Sequence, residues 1–181
     1  MSPLTLIIII LAIIAIYILI TYNSIVKQKN RVLQAISGID VYLTQRFDLI
    51  PNLVECVKGY MKCEKETLVA LTKKRSMYLQ NKNLKDGEEL NNECNRIVIL
   101  AENYPELKAN EQFLNLQKKL SKMESQLQAA RRIYNAEVNK YNNKIETFPN
   151  NIIAEAFNFK KEEFFKAEPN AKNNIKIDEM Q

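Results

Sequence analysis

Eight polar residues, Asp40, Arg46, Asp48, Glu64, Arg75, Arg131, Asn135 and Asn142, fall on or beside stripes that are otherwise apolar. Carboxylates set among guanidinium groups can form an ion-pair network, or they can line a cleft that binds or catalyses. Acid–base or metal chemistry by paired carboxylates needs a second acid on the same helical face. Glu64 and Glu66 are two residues apart and face different sides. Histidine is absent, which removes the commonest general base and the commonest metal ligand. A di-metal bundle built on Glu-x-x-His pairs is excluded for the same reason. The three cysteines, Cys56, Cys63 and Cys94, have no C-x-x-C spacing. Cys56 and Cys63 lie one heptad apart, about 10 Å along a helix, beyond the reach of a disulfide. An odd set without a framework fits a reducing compartment. With three glycines and no GxxxxGK[ST], GxGxxG or GxSxG motif, phosphate-cradling loops are not expected. No catalytic residue, cofactor or metal ligand is nominated, and the expectation is a protein that is not an enzyme.

The elements that must position these residues follow from apolar spacing. Val32, Ile36, Ile39, Leu43 and Phe47 recur at helical steps, with Ile25 one heptad earlier. A second stripe holds Val54, Val57, Met61, Leu68, Leu71 and Tyr78, and a third Leu90, Cys94, Ile97, Ala101 and Tyr104. The fourth runs through Phe113, Leu116, Leu120, Met123, Leu127, Ala130, Tyr134, Val138, Tyr141, Ile145 and Phe148, with one doubled step of four, a stutter in a coiled-coil-like seam. Amphipathic stripes must bury against one another, so the expected fold is all-α, an antiparallel four-helix bundle. Glu64 falls between Met61 and Leu68, and Arg75 between Leu71 and Tyr78. Asp40 and Arg46 border the first stripe, Asp48 follows it, and Arg131, Asn135 and Asn142 flank the fourth. Near a core such groups must be paired, because an unpartnered charge costs several kcal/mol. A register-fixing network, with Glu64 matched to Arg131, is the expectation; a cleft is the sharper alternative. Tyr104, Tyr134 and Tyr141 share the core spacing, so they are expected inside and not as a base-stacking platform.

Pro51 in "RFDLIPNLVECVKGY" marks the break between the first two helices. Asp48 is placed to cap the second helix, proline is tolerated in a first turn, and Ile50 is pushed from helical geometry. The alternative is one kinked helix. "NKNLKDG" at 81–87 reads as a loop ending on Asp86 as a cap, Pro105 either starts a helix or kinks one, and "FPNN" stops the fourth helix.

Leu4 to Ile20, "LTLIIIILAIIAIYILI", carries no charge and spans about 26 Å as a helix, close to a bilayer's hydrocarbon core. No Lys or Arg precedes it and no A-x-A site follows, so a membrane-spanning helix is expected and not a cleaved signal. Lys27, Lys29 and Arg31 follow the span, which places the N-terminus outside and the body in the cytoplasm. The remaining charges are mixed; the net +5 is ordinary for a solvated helical surface, and no nucleic-acid partner is expected. The organisation expected is an anchor at 1–21, a bundle at 22–148, a short amphipathic segment at 149–165 and a flexible tail at 166–181.

"RFDLIPNLVECVKGYMKCEKETL" and "YPELKANEQFLNLQKKLSKMESQLQAARRIYNAEVNKYNNKIETFP" closely resemble the LemA family of bacterial membrane proteins, from Tyr22 to about Phe165. The resemblance implies an N-terminal membrane helix followed by an antiparallel helical bundle in the cytoplasm. Cys63 stands where the family usually has histidine, and Ile36 where it usually has tryptophan. The family carries no agreed activity; relatives are associated with envelope processes, and some similar sequences occur among proteins that shape magnetosome membranes. The expectation is a scaffold or adaptor at the membrane, in contact with lipid through its first helix and with protein partners or itself. The alternative is a membrane-remodelling protein whose Lys27, Lys29, Arg31 and Ile152–Phe165 segment touch lipid.

Overall fold

In the computed structural model residues 3–60, 65–101 and 103–165 are described, and every regular element among them is helical. The helices are α1 (Pro3–Phe47), α2 (Ile50–Val57), α3 (Lys65–Asn81), α4 (Leu84–Ala101), α5 (Pro105–Lys108), α6 (Glu111–Glu146) and α7 (Asn150–Ala156).

α1 changes character along its length. Its large apolar residues from Leu4 to Ile20 are 40–67% exposed apart from half-buried Ile18, whereas Thr21 and Ile25 are buried. This helix is long and apolar enough to cross a membrane. Beyond Ile25 the first stripe is buried at Val32, Ile39, Leu43 and Phe47, with Ile36 half-buried.

The breaks obey local chemistry, with some corrections. α1 stops at Phe47, and the Leu49 N–H reaches back only to the Arg46 carbonyl. Pro51 sits in the first turn of α2, where its missing N–H has no partner to lose. Asp48 does not cap α2: Leu49 occupies that position with no side-chain bond, and the Asp48 carboxylate pairs with Arg75 instead. Ile50, expected to leave helical geometry, is the first residue of α2, and its complete burial offsets the crowding by the proline ring. The cap of α4 is Asn83, whose Oδ1 accepts the Lys85 N–H; Asp86 lies inside the first turn, favourably placed against the helix dipole. Pro105 starts the short α5 after an extended Tyr104, and Asn110 caps α6 through the Phe113 N–H.

The described residues fall into two compact units, one within residues 33–132 and one within residues 1–32 and 133–181. In the first, Phe47, Ile50, Leu53, Leu71, Tyr78, Leu90, Ile97 and Phe113 are among the core residues. The Phe47 and Tyr78 rings meet edge to face at 4.9 Å. α3 packs on α4, and Gly87 lets them approach: a Cβ there would lie 2.7 Å from the Tyr78 ring.

In the second unit Ile25, Val32, Tyr134, Val138, Tyr141, Ile145, Ile153 and Ala154 are buried. Phe148 corrects the fourth stripe: α6 ends at Glu146, and Phe148 is 79% exposed. Asn158, with φ 57°, closes α7 as a left-handed cap, and the Phe159 N–H bonds the Ala154 carbonyl. Residues 159–165 then continue without regular structure as a strap against α6.

Candidate functional site: an ion-pair centre and an asparagine ladder

Arg46, on the last turn of α1, is 2% exposed. Its guanidinium pairs with Glu124 of α6 and donates a hydrogen bond to Asn95 of α4. Arg131, one heptad beyond Glu124, grips Glu88 of α4 through Nε and a second nitrogen, and its other nitrogen lies 3.6 Å from Glu124. Two cations thus face two anions, and the fork geometry of arginine suits the two-point grip on Glu88. Burial lowers the Arg46 pKa, with neighbouring Arg131 adding to it. Burial also pushes the Cys94 thiol up, against the pull of Arg46, so Cys94 stays a neutral thiol beside the arginine.

Two further pairs hold α3 to the end of α1. The Tyr78 hydroxyl donates to Asp40, whose other oxygen is 3.2 Å from the Lys82 ammonium. Burial first, and then the hydrogen bond to Asp40 and its charge, raise the Tyr78 pKa. Arg75 donates through Nε to the Phe47 carbonyl at 2.7 Å and pairs with Asp48 at 3.0 Å. That places a cation on the carbonyl end of α1, where the helix dipole favours it.

The other unit holds a different device. Asn142 donates to the Glu162 carbonyl at 2.9 Å and accepts the Glu162 N–H at 3.0 Å. One heptad earlier, Asn135 donates to the Phe165 carbonyl at 3.1 Å and accepts its N–H at 2.8 Å. The Tyr134 and Tyr141 hydroxyls donate to the carbonyls of Glu163 and Lys160. Each asparagine therefore satisfies both backbone groups of one strap residue, as a neighbouring strand would. On α1, Gln28 donates to the Glu137 carboxylate, and Lys140 and Gln28 hold that carboxyl below its ordinary range.

Among the expected site residues, Arg46 and Arg131 share one cluster, Asp40 lies with Tyr78, and Asp48 with Arg75. Asn135 and Asn142 instead secure the strap. Glu64, expected as the partner of Arg131, lies outside the described residues, as do Met61 and Cys63; among the described residues the acids on Arg131 are Glu88 and Glu124. The spacing of Glu124 and Arg131, one heptad apart on one flank, was a signal that pointed to this pair. Glu88 had none, because it lies ahead of the third stripe, which starts at Leu90. Among the described residues, no three His, Cys, Asp or Glu side chains are placed to hold a metal ion.

Among the described residues these features define an all-helical protein with an exposed apolar N-terminal half-helix and a buried and a half-buried arginine that face carboxylates. The LemA family profile matches residues 35–178, and the chain belongs to the LemA family. A relative, Protein LemA of Metamycoplasma hominis, is 29% identical over 139 residues, which cover 74% of this chain and 63% of that protein.

Proposed function

We propose that the protein is a single-pass membrane protein whose helices beyond residue 22 form an antiparallel bundle that serves as a non-enzymatic scaffold for other proteins. The observation that carries the reading is the mutual pairing of Arg46 and Arg131 with Glu124 and Glu88. Hydrogen-bonding capacity that a catalytic cleft would direct at substrate is used here to hold α1, α4 and α6 in register. The exposed apolar residues from Leu4 to Ile20 support a helix solvated by lipid, since water would penalise them. Lys27, Lys29 and Arg31 just beyond the span favour an outside N-terminus and a cytoplasmic body. In-cell photocrosslinking from exposed Val69, Met77 and Ile99, read by mass spectrometry, tests the role. A discrete membrane-associated protein partner is expected. Self-crosslinks and lipid adducts alone would contradict the scaffold and favour remodelling.

A further inference from the structure

The corner between α6 and α7 presents apolar surface that its own unit leaves uncovered. Phe148, Ile152 and Phe157 are 79%, 59% and 52% exposed. Their position is tied to the apolar half of α1 by two observations. The Tyr17 hydroxyl donates to Asn150 Oδ1 at 3.1 Å, and the Tyr22 ring lies against Phe157 at 4.8 Å and Phe159 at 5.7 Å. The start of α7 is thus level with Tyr17, inside the apolar run, and its end is level with Tyr22, about 7.5 Å further along the helix axis. On the same stretch of α1, Leu19 and Ile20 are 63% and 64% exposed.

We propose that Phe148, Ile152 and Phe157 insert into the bilayer interface beside α1, so that α7 is a second membrane contact whose ligand is lipid. The inference rests on the reading that α1 crosses the bilayer. No charged residue lies between Glu146 and Glu155, so the stretch holding Phe148 and Ile152 can enter the acyl boundary without burying a charge, and exposed Glu155, ahead of Phe157, marks the level of the headgroups. Aromatic residues favour that depth. Lys160 and Lys161 follow three and four residues after Phe157 and are exposed, Lys161 paired with Glu146, at the level where lipid phosphates would meet them. The contact ends there. The strap from 160 to 165 is bonded first to Tyr141 and Asn142 and then to Tyr134 and Asn135, one heptad earlier on α6 and so farther from the span. Lipid contact by the whole Ile152–Phe165 segment is thereby narrowed to its first part.

The chain has no tryptophan, so a single introduced one reports its own surroundings. Full-length Phe148→Trp, Ile152→Trp, Leu11→Trp and Ile99→Trp variants would be placed in nanodiscs of phosphatidylcholine, with or without bromine on the acyl chain near the headgroup or near its end. Phe148→Trp and Ile152→Trp are expected to emit at shorter wavelength than Ile99→Trp and to lose intensity to the shallow bromines. Leu11→Trp should lose most to the deep ones, and Ile99→Trp should lose to neither. If Leu11→Trp is quenched while the two α7 probes emit as in water, the span stands and the α7 contact is overturned. If the α7 probes are shielded from both bromine and aqueous acrylamide, protein covers the patch and the proposal also falls. An unquenched Leu11→Trp removes the span and the inference with it.

Discussion

Arg46 can be buried because Glu124, Asn95 and the neutral Cys94 surround it. Removing the anion alone should therefore cost more than removing both charges. Glu124→Gln is expected to destabilise by about 3–5 kcal/mol, whereas Arg46→Met with Glu124→Leu should lie closer to the parent; urea unfolding in mild detergent measures both. A second consequence concerns base. Burial raises the pKa values of Cys94, Tyr78, Tyr134 and Tyr141 from ordinary values of 9.0 for the thiol and 10.0 for the phenols. Below those values both folded and unfolded chains keep these protons, and stability is flat. Above them the unfolded chain loses protons that the folded one retains, so stability falls as pH rises. Unfolding midpoints from about pH 8 to about pH 10.5 should decline, with a later onset in Cys94→Ala. The positions of Arg46, Arg75 and Arg131 were legible because a charge on an apolar stripe is conspicuous. Their partners were less so, since pairing depends on which helices meet, and that is not a local property.

The apolar stripes of the helices were legible because burial follows the 3.6-residue period: Val32, Ile39, Leu43 and Phe47 are all buried as the spacing implies. The ends were less legible. Several polar residues near each break can cap, and the choice of Asn83 over Asp86 depends on where the first turn begins. The strap was invisible to periodicity, because an extended segment bonded through its backbone leaves no side-chain pattern. Asn142→Ala removes two of its hydrogen bonds, a loss of about 1–3 kcal/mol. Trypsin should then cut faster after Lys160 and Lys161, while far-UV circular dichroism stays near that of the parent. Gly87→Ala tests the close approach of α3 and α4. Alanine is the better helix former, yet its Cβ would meet the Tyr78 ring at 2.7 Å and Leu43 at 3.0 Å. A net loss of about 1–3 kcal/mol is expected from overpacking, read from the thermal midpoint.

For the molecule as a whole, the helical class and the apolar N-terminal helix could be read from composition and spacing alone. Few glycines, no strand pattern and an uncharged stretch from Leu4 to Ile20 leave little else. Helix arrangement is set by non-local packing, and spacing alone reveals only that each stripe needs a partner. Fractionation of cells making the full chain tests most directly whether α1 anchors the body in a bilayer. The protein is expected to stay with membranes through alkaline carbonate and to leave them only in detergent. Ile9→Arg with Ile13→Arg, each charge costing about 2.5–3.5 kcal/mol at the centre of a span, should shift it to the soluble fraction. Release of the unaltered chain by carbonate would contradict the account.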